Sequence, residues 1–356
     1  MQRIGIVGIG NISKIYLDNL TGMFADKVKL TGVTDVAFER AEKAAADYKL
    51  KVYKTLDEML GSPEIDIILN ITPPKLHHAV ASAAVKAGKH VYSEKPICAK
   101  REEAEEILKI AAEKKVRVGG APDTFLGAGL QTCRKLIDEG KIGEPVAATA
   151  FMMSHGPEHW HPSPHFFYQD GGGPMFDMGP YYITALVSLL GQVSRVCGSA
   201  RISTPKRTIT NEIQNGQTIN VEIPTHIAGV LDFVQGTVAT LITSFDVYSH
   251  SMPRIEIYGT EGTLNVPDPN TFGGPVTIRH LREENWTEIP LAENYRENSR
   301  GLGITDMAQA IDENRPHRAS GELANHVLEV MHGIHDASFS ENYYKLRTKC
   351  LRPEAL

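Results

Sequence analysis

Apolar and polar positions follow two different periods over the first third of the chain. Short, nearly continuous apolar segments are separated by longer segments in which apolar positions recur with the period of a helix. The short segments predict strands at 3–7, 28–34, 65–71, 89–92 and 115–119. The longer segments predict helices at 12–21, 37–48, 74–87 and 100–114. Because buried strands that alternate with helices form parallel sheets covered on both faces, we expect a doubly wound α/β domain.

The rest of the chain is richer in strands. Helices are predicted at 126–140, 303–314 and 321–337. Strands are predicted at 145–154, 194–202, 226–234, 236–246, 253–259 and 275–281. Gln235-Gly236 is typical of a hairpin turn, and TEGTL at 260–264 of another tight turn. This change of pattern predicts a second domain.

Composition argues against several classes of protein. The 356 residues carry a formal net charge of −6, so no basic surface for nucleic acids or anionic membranes is expected. Four widely spaced cysteines without a CxxC pair favour reduced thiols over disulfides or zinc. No apolar run reaches the ~18 residues that span a bilayer. A strand pattern at Arg3 leaves no room for a signal peptide, so we expect a cytoplasmic protein.

The first turn, GIVGIGNIS, matches most of a dinucleotide-binding fingerprint. Gly8 and Gly10 take the first two glycine positions of GxGxxG, and Ser13 takes the third. The second glycine lets a pyrophosphate approach the backbone, and the phosphates would bind at the N-terminus of the next helix. The turn follows a predicted strand and opens a helix, which is the context that this motif requires. The alternative is an ordinary strand–helix turn.

Asp35 ends the second predicted strand. A carboxylate at this point accepts hydrogen bonds from a ribose diol and repels a 2′-phosphate, so NAD is favoured over NADP. Arg40 could accommodate a phosphate. Asp35 could also cap the helix at 37–48, a role that is compatible with ribose binding.

The segment after the third predicted strand begins with the stiff turn Thr72-Pro73-Pro74. Ligands of open α/β sheets bind at the carboxyl ends of the strands, where this turn would lie. His77 and His78 then begin a helix, and either could contact the cofactor or substrate or only pack.

A lysine follows the strand at 89–92 in the segment GKHVYSEKPICAK. Pro96 biases Lys95 toward an extended conformation and holds it at the carboxyl edge of the sheet, where a nicotinamide would lie. Because burial or a nearby cation lowers the pKa of a lysine, such a group suits proton transfer at a substrate hydroxyl. The alternative is a solvated lysine paired with Glu94.

The segment GGGPMFDMGPYYITALVSLLG, at 171–191, predicts a helix after a glycine turn. Asp177 and Tyr181 are four residues apart and therefore share a helix face, whereas Tyr182 points away and is expected to pack. The three glycines would let the chain approach a cofactor closely.

The long loop at 154–174 carries Trp160 and several histidines. Those histidines are His155, His159, His161 and His165. Prolines interrupt the run, so no pair of these histidines lies in a predicted helix, and metal binding is not favoured. A loop that lines a sugar-binding site is the favoured interpretation, because an indole stacks on pyranose CH faces and imidazoles bind hydroxyls. The alternative is a structural or subunit-contact loop.

Taken together, these motifs resemble the glucose–fructose oxidoreductase / inositol dehydrogenase / rhizopine catabolism family, Gfo/Idh/MocA. The matching segments are GIGNI at 8–12, AGKHVYSEKP at 87–96, the glycine-led segment at 171–191, and YGTEGTL at 258–264. The resemblance implies a Rossmann domain at 1–122 and, at 123–356, an α+β domain with a large, mostly antiparallel open sheet. This second domain would bind the substrate and form homo-dimers or homo-tetramers.

The same resemblance implies roles for individual residues. The catalytic lysine of the family falls on Lys95 and its substrate-binding aspartate on Asp177, while its usual histidine is replaced by Tyr181. Predicted cofactor contacts are Gly8, Gly10, Asn11, Ile12, Asp35, Thr72, Pro73, His77, Glu94 and Lys95. Predicted substrate contacts are Asp123, Trp160, His161, His165 and Asp177.

These features predict an NAD(P)-dependent oxidoreductase, with NAD favoured, that acts on a sugar, polyol or glycoside. Lys95 and Tyr181 would contact the reacting oxygen, and one of them would move its proton. Two alternatives stay open: an NAD-dependent glycoside hydrolase or lyase, and a dinucleotide-binding sensor or scaffold. A sensor needs none of Lys95, Asp177 and Tyr181, which argues against it.

Overall fold

The computed structural model describes all 356 residues, which form two compact units. Unit 1 comprises Met1–Leu126 and Glu297–Leu328, and unit 2 comprises Gly127–Arg296 and Glu329–Leu356. No helix combines the length and apolar composition needed to cross a membrane.

Unit 1 is built on a six-stranded parallel sheet in the order β3-β2-β1-β4-β5-β6. Its strands are β1 Arg3–Val7, β2 Lys29–Thr34, β3 Lys51–Val52, β4 Ile67–Asn70, β5 His90–Ser93 and β6 Val118–Gly120. Its first helices are α1 Ser13–Thr21, α2 Phe38–Tyr48, α3 Leu56–Gly61, α4 His77–Lys86 and α5 Arg101–Lys114. The predicted doubly wound architecture is confirmed. Ile6, Ile67 and Leu69 are fully buried, because helices cover both faces of the sheet.

Unit 2 is built on a nine-stranded sheet in the order β16-β15-β14-β13-β7-β12-β11-β8-β17. Its strands are β7 Pro145–Met153, β8 Val193–Arg201, β11 His226–Phe233, β12 Val238–Ser244, β13 Ile255–Gly259, β14 Gly262–Val266, β15 Val276–His280, β16 Thr287–Ile289 and β17 Tyr344–Lys345. A separate two-stranded sheet pairs β9 Lys206–Thr208 with β10 Thr218–Asn220. All neighbours in the large sheet are antiparallel except β7 and β12, so the predicted mostly antiparallel sheet is confirmed.

Helices cover one face of the large sheet. The helices α6 Ala128–Asp138 and α7 Gly173–Leu190 pack on its strands. Ile334, from the long helix at 321–340, fits against Gly229 of β11. Alternate residues of β11 are buried on this face, whereas Ala228 and Val230 on the other face are half-exposed.

Unit 1 is completed by a late segment of the chain. This segment holds α8 Leu302–Asp312 and the start of α9 Gly321–Ser340. Asn19 of α1 donates hydrogen bonds to the carbonyl oxygens of Asn298 and Arg300, at 2.9 and 2.8 Å. The prediction placed all of 123–356 in the second domain. The compact units differ from this prediction, because hydrogen bonds such as those of Asn19 join residues 297–328 to the first part of the chain.

Several short elements were not predicted from the sequence. Those elements are α3, β3, β9, β10, β14, β16 and β17. Most have only two or three residues, which is too few for a periodic pattern. The tight turn predicted at 260–264 is shorter than expected, because β14 begins at Gly262 and pairs with β13.

Candidate active site

The glycine turn of unit 1 has the geometry that a dinucleotide requires. Gly8 has a φ of 99°, and a Cβ there would lie 3.0 Å from the carbonyl oxygen of Ile71. No atom lies within 4 Å of the position of a Cβ on Gly10, so the space above this residue is open. The Ser13 hydroxyl donates to the Gly10 carbonyl at 2.7 Å, so serine closes the turn at the third fingerprint position. These residues fit a pyrophosphate.

The carboxylate of Asp35 connects the end of β2 to the glycine turn. Its Oδ2 accepts a hydrogen bond from the Ile9 amide at 2.5 Å, and its Oδ1 accepts one from the Ala37 amide at 2.7 Å. The N-cap of α2 is Ala37 without a side-chain cap, so the predicted capping of that helix by Asp35 is wrong. Each carboxylate oxygen keeps a second lone pair, which a ribose hydroxyl can use.

His77 connects two loops at the carboxyl edge of the sheet. Its Nδ1 lies 2.6 Å from the carbonyl oxygen of Pro96, and its Nε2 lies 2.7 Å from that of Thr72. The side chain is fully buried, and burial lowers its pKa. The prediction of a direct cofactor contact is therefore corrected: His77 supports the Thr72-Pro73 turn, and Pro73 is exposed.

Lys95 follows β5, which lies between β4 and β6. Glu94 holds its backbone, because one carboxylate oxygen accepts from the Lys95 amide at 2.9 Å. The other oxygen accepts from the hydroxyl of Tyr16, in α1, at 2.7 Å. Tyr16 is fully buried, and this burial, together with the charge of Glu94, raises its pKa. Lys95 itself is half-buried, and the peptide bond to Pro96 is cis.

Asp123 is buried beneath the late segment of unit 1. One of its oxygens accepts from the amides of Gly301 and Gly303, at 2.9 and 3.0 Å. Burial raises its pKa to about 6. With only 1% of the residue exposed, Asp123 holds the start of α8, which corrects the predicted direct contact with a substrate.

In unit 2, helix α7 carries two of the three residues that are predicted to be catalytic, Asp177 and Tyr181. Asp177 is half-buried, and Tyr181, one turn later, is 7% exposed. Tyr182 is buried as predicted, and burial raises its pKa. Gly171 and Gly173 have φ values of 84° and 87°, so glycine at these positions permits the sharp turn before the helix.

The loop at 154–174 of unit 2 is ordered around aromatic contacts. The Trp160 ring packs edge-on against His161 at 5.3 Å, and His161 packs edge-on against Phe166 and Phe167. Trp160 is nevertheless 61% exposed, and His165 is half-buried in a short 3₁₀ helix, His165–Tyr168. No group of three or more His, Cys, Asp or Glu side chains is arranged to hold a metal ion.

Tyr16 was missed from the sequence. It lies on the buried face of α1. Nothing in the pattern showed that its hydroxyl meets Glu94, 78 residues later.

Two family profiles match the chain. Residues 2–120 match the "Oxidoreductase family, NAD-binding Rossmann fold", and residues 130–265 match the "GFO/IDH/MocA C-terminal domain". The chain belongs to the Gfo/Idh/MocA oxidoreductase family. It is an NAD(P)-dependent oxidoreductase, which confirms the predicted family and enzyme class.

The relatives include named reductases and dehydrogenases. The chain is 26% identical to 1,5-anhydro-D-fructose reductase of Ensifer adhaerens, over 82% of this chain and 83% of that protein. It is 25% identical to inositol 2-dehydrogenase of Rhizobium meliloti (strain 1021), over 82% of each. It is 24% identical to the NADP(+) enzyme scyllo-inositol 2-dehydrogenase IolW of Bacillus subtilis (strain 168), over 74% and 68%.

Solved structures share the fold over nearly the whole chain. Levoglucosan dehydrogenase in complex with NADH and levoglucosan matches with a TM-score of 0.82 and 18% identity, over 97% of this chain and 99% of that chain. An NAD binding oxidoreductase from Klebsiella pneumoniae matches with a TM-score of 0.84 and 20% identity, over 98% and 100%. At such identities the similarity establishes the fold alone.

Proposed function

We propose that this protein interconverts a hydroxyl and a carbonyl group on a sugar, polyol or glycoside. The observation that carries this proposal is the support of Lys95 by Glu94 and Tyr16 at the carboxyl edge of an NAD(P)-binding sheet. The names of the relatives favour the same substrate class, because they refer to inositols and an anhydro sugar.

Several residues of the first unit would contact the dinucleotide. Gly10, Asn11 and Ile12 would face the pyrophosphate, and Asp35 would accept hydrogen bonds from the adenosine ribose. The Thr72-Pro73 turn would line the path toward Lys95. A carboxylate at position 35 favours NAD over NADP. When bound, the nicotinamide supplies the hydride acceptor or donor.

The residues of the chain would supply binding and proton transfer. Lys95 and Tyr181 would contact the reacting oxygen, and one of them would take or return its proton. Asp177 would accept a hydrogen bond from the same or a neighbouring hydroxyl and orient Lys95. General acid–base help of this kind contributes about 10²–10⁴ in rate.

The loop at 154–174 would recognise the sugar ring. The exposed indole of Trp160 offers a face for pyranose CH groups, while His161 and His165 offer hydrogen-bonding nitrogens. These three side chains favour a carbohydrate over a small aliphatic compound as the substrate.

The proton-transfer roles are tested by Lys95→Met and Tyr181→Phe. After a panel of aldoses, inositols and glycosides has identified a substrate, each variant should lower kcat by about 10²–10⁴. Affinity for NADH should stay nearly unchanged in both. Lys109→Met, on an exposed face of α5, and Tyr182→Phe serve as matched controls that keep turnover. Full rates in both test variants would show that the assigned roles are wrong.

Product analysis separates this reaction from that of a glycoside hydrolase or lyase. Free NADH that accumulates with a keto-sugar supports the dehydrogenase. A released aglycone without net NADH supports the other reaction.

A further inference from the structure

An arginine in unit 2 is buried among carbonyl and carboxylate oxygens from two separate segments. Arg207, in β9, is only 8% exposed. Its Nε donates to Glu158 at 2.7 Å, and its Nη2 donates to the carbonyl oxygen of His155 at 2.5 Å. From the other segment, the carbonyl oxygen of Phe245 and a carboxylate oxygen of Asp246 each accept at 2.9 Å. One guanidinium therefore joins the 154–174 loop to the segment that follows β12.

The loop is attached to the β9–β10 region at further points. Glu158 is 3% exposed, and its second oxygen accepts from the hydroxyl of Tyr168. Its backbone carbonyl accepts from the amides of Thr210 and Asn211, both at 3.1 Å. The side chain of Asn211 donates to the carbonyl oxygen of His161 at 2.7 Å. The loop is thus fixed at residues on both sides of Trp160.

The second segment leaves the sheet beside the first. β7 and β12 are parallel neighbours, and Met153 pairs with Ser244 at their ends. Beyond this edge, the ring of His155 stacks on that of Tyr248 at 3.7 Å, and Tyr248 is 85% exposed. Each of the two segments therefore has residues that bind the buried Arg207 and also carries an exposed aromatic ring, Trp160 in one and Tyr248 in the other.

Planar, forked donors explain why arginine occupies this position. A guanidinium can donate to several acceptors in one plane, whereas an ammonium is a compact point charge. A buried ion pair often adds little to stability compared with apolar residues of the same size, so positioning is the more informative role to test.

We infer that Arg207 is a positioning residue, which holds the 154–174 loop and the segment after β12 in the arrangement that recognises the sugar. This inference rests on the proposed function, in which the loop contacts the substrate. Loss of the forked contacts should misplace Trp160 and weaken sugar binding, while the chemistry at Lys95 and the binding of NADH are left intact.

The test is Arg207→Lys, which keeps the positive charge and removes the planar set of N–H donors. KM for the sugar should rise about tenfold or more, with kcat and NADH affinity nearly unchanged. Arg195→Lys is a matched control, because Arg195 forms an exposed ion pair with Asp232 at 2.8 Å in the same unit. This control should leave KM unchanged.

Tryptophan fluorescence gives a second readout. Only Trp160 and Trp286 are present, so Trp286→Phe leaves Trp160 as the single reporter of the loop. In that background, Arg207→Lys should lower the fluorescence anisotropy of Trp160. If the lysine variant does not fold, Glu158→Gln keeps the side-chain volume and should raise KM and lower the anisotropy in the same way.

The possible outcomes separate this inference from the proposed function. An unchanged KM and anisotropy in a folded variant, with normal wild-type turnover, overturns the role of Arg207 alone. Wild-type protein that turns over no sugar, polyol or glycoside overturns the proposed function and this inference together.

Discussion

Two aspartates of unit 1 bind backbone amides in different surroundings. Asp35 is half-buried and keeps lone pairs for a ribose, whereas Asp123 is almost fully buried between residues that are distant in sequence. Burial disfavours the charge of Asp123 and raises its pKa to about 6. Residues of one type therefore have separate roles: one suits cofactor binding, and the other holds the start of α8.

The raised pKa of Asp123 predicts a specific dependence of stability on pH. Because the folded pKa of about 6 exceeds the ordinary value of 3.8, the folded protein binds this proton more tightly than the unfolded chain. The stabilising contribution is complete below about pH 4 and is lost as the pH rises through 6. Asp123→Asn keeps an oxygen acceptor but does not titrate. Relative to wild type, its free energy of unfolding should rise by about 2–3 kcal/mol between pH 4 and 7.

Urea unfolding at both pH values measures this difference, and subtraction of the wild-type curve cancels the titration of other groups. A difference that does not change with pH would show that Asp123 titrates normally.

Among the elements, the turn between β1 and α1 contains the proposed pyrophosphate site. Gly8 needs a positive φ and lies against Ile71, while Gly10 has an ordinary φ and open space. The first glycine therefore supports the fold, whereas the open space at the second would be available to the proposed pyrophosphate.

Alanine substitutions separate these two roles. Gly8→Ala should lower the free energy of unfolding by about 1–3 kcal/mol, because the positive φ strains an L-residue. Gly10→Ala should leave stability within about 0.5 kcal/mol of wild type. Its Cβ would enter the space of the pyrophosphate and weaken NADH binding by about 1–3 kcal/mol. Calorimetric titration and urea unfolding measure these effects.

Gly61→Ala is the control, because Gly61 also has open space but ends α3 away from the turn. It should leave NADH affinity unchanged and should not lower the free energy of unfolding. Unchanged NADH affinity in Gly10→Ala would argue against a pyrophosphate at this turn.

At the scale of the whole molecule, the second unit has an uncovered sheet face. Thr240 and Ile242 of β12 lie on this face, beside Ala228 and Val230 of β11, and all four are half-exposed. A sheet face that leaves apolar side chains half-exposed favours association with a second copy of the chain.

We therefore expect a homo-dimer or homo-tetramer that uses this face. Light scattering after size exclusion should give a mass of two or four times 39.1 kDa. Ile242→Arg should reduce that mass, because it places a charge in the buried interface. Val146→Arg, at a position that is 50% exposed on the other side of the sheet, should not. A wild-type mass equal to one chain would refute the expectation.

Prediction from the sequence succeeded where the signal is local. Five of the six strands of unit 1, the glycine turn and helix α7 follow from periodicity and turn residues within short windows. The roles of His77 and Asp123 did not follow, because burial depends on residues that other parts of the chain bring near. Local sequence shows that a polar residue is present and does not show whether its atoms reach solvent.

The sequence by itself determined the alternating α/β pattern, the dinucleotide turn and the positions of Lys95, Asp177 and Tyr181 on their elements. Only the tertiary structure decided that residues 297–328 complete unit 1, that Tyr16 supports Glu94, and that Arg207 joins two segments. The physical reason is the range of the interactions. Helix and strand periods arise between near neighbours, whereas buried hydrogen bonds and ion pairs form between groups that only folding brings together.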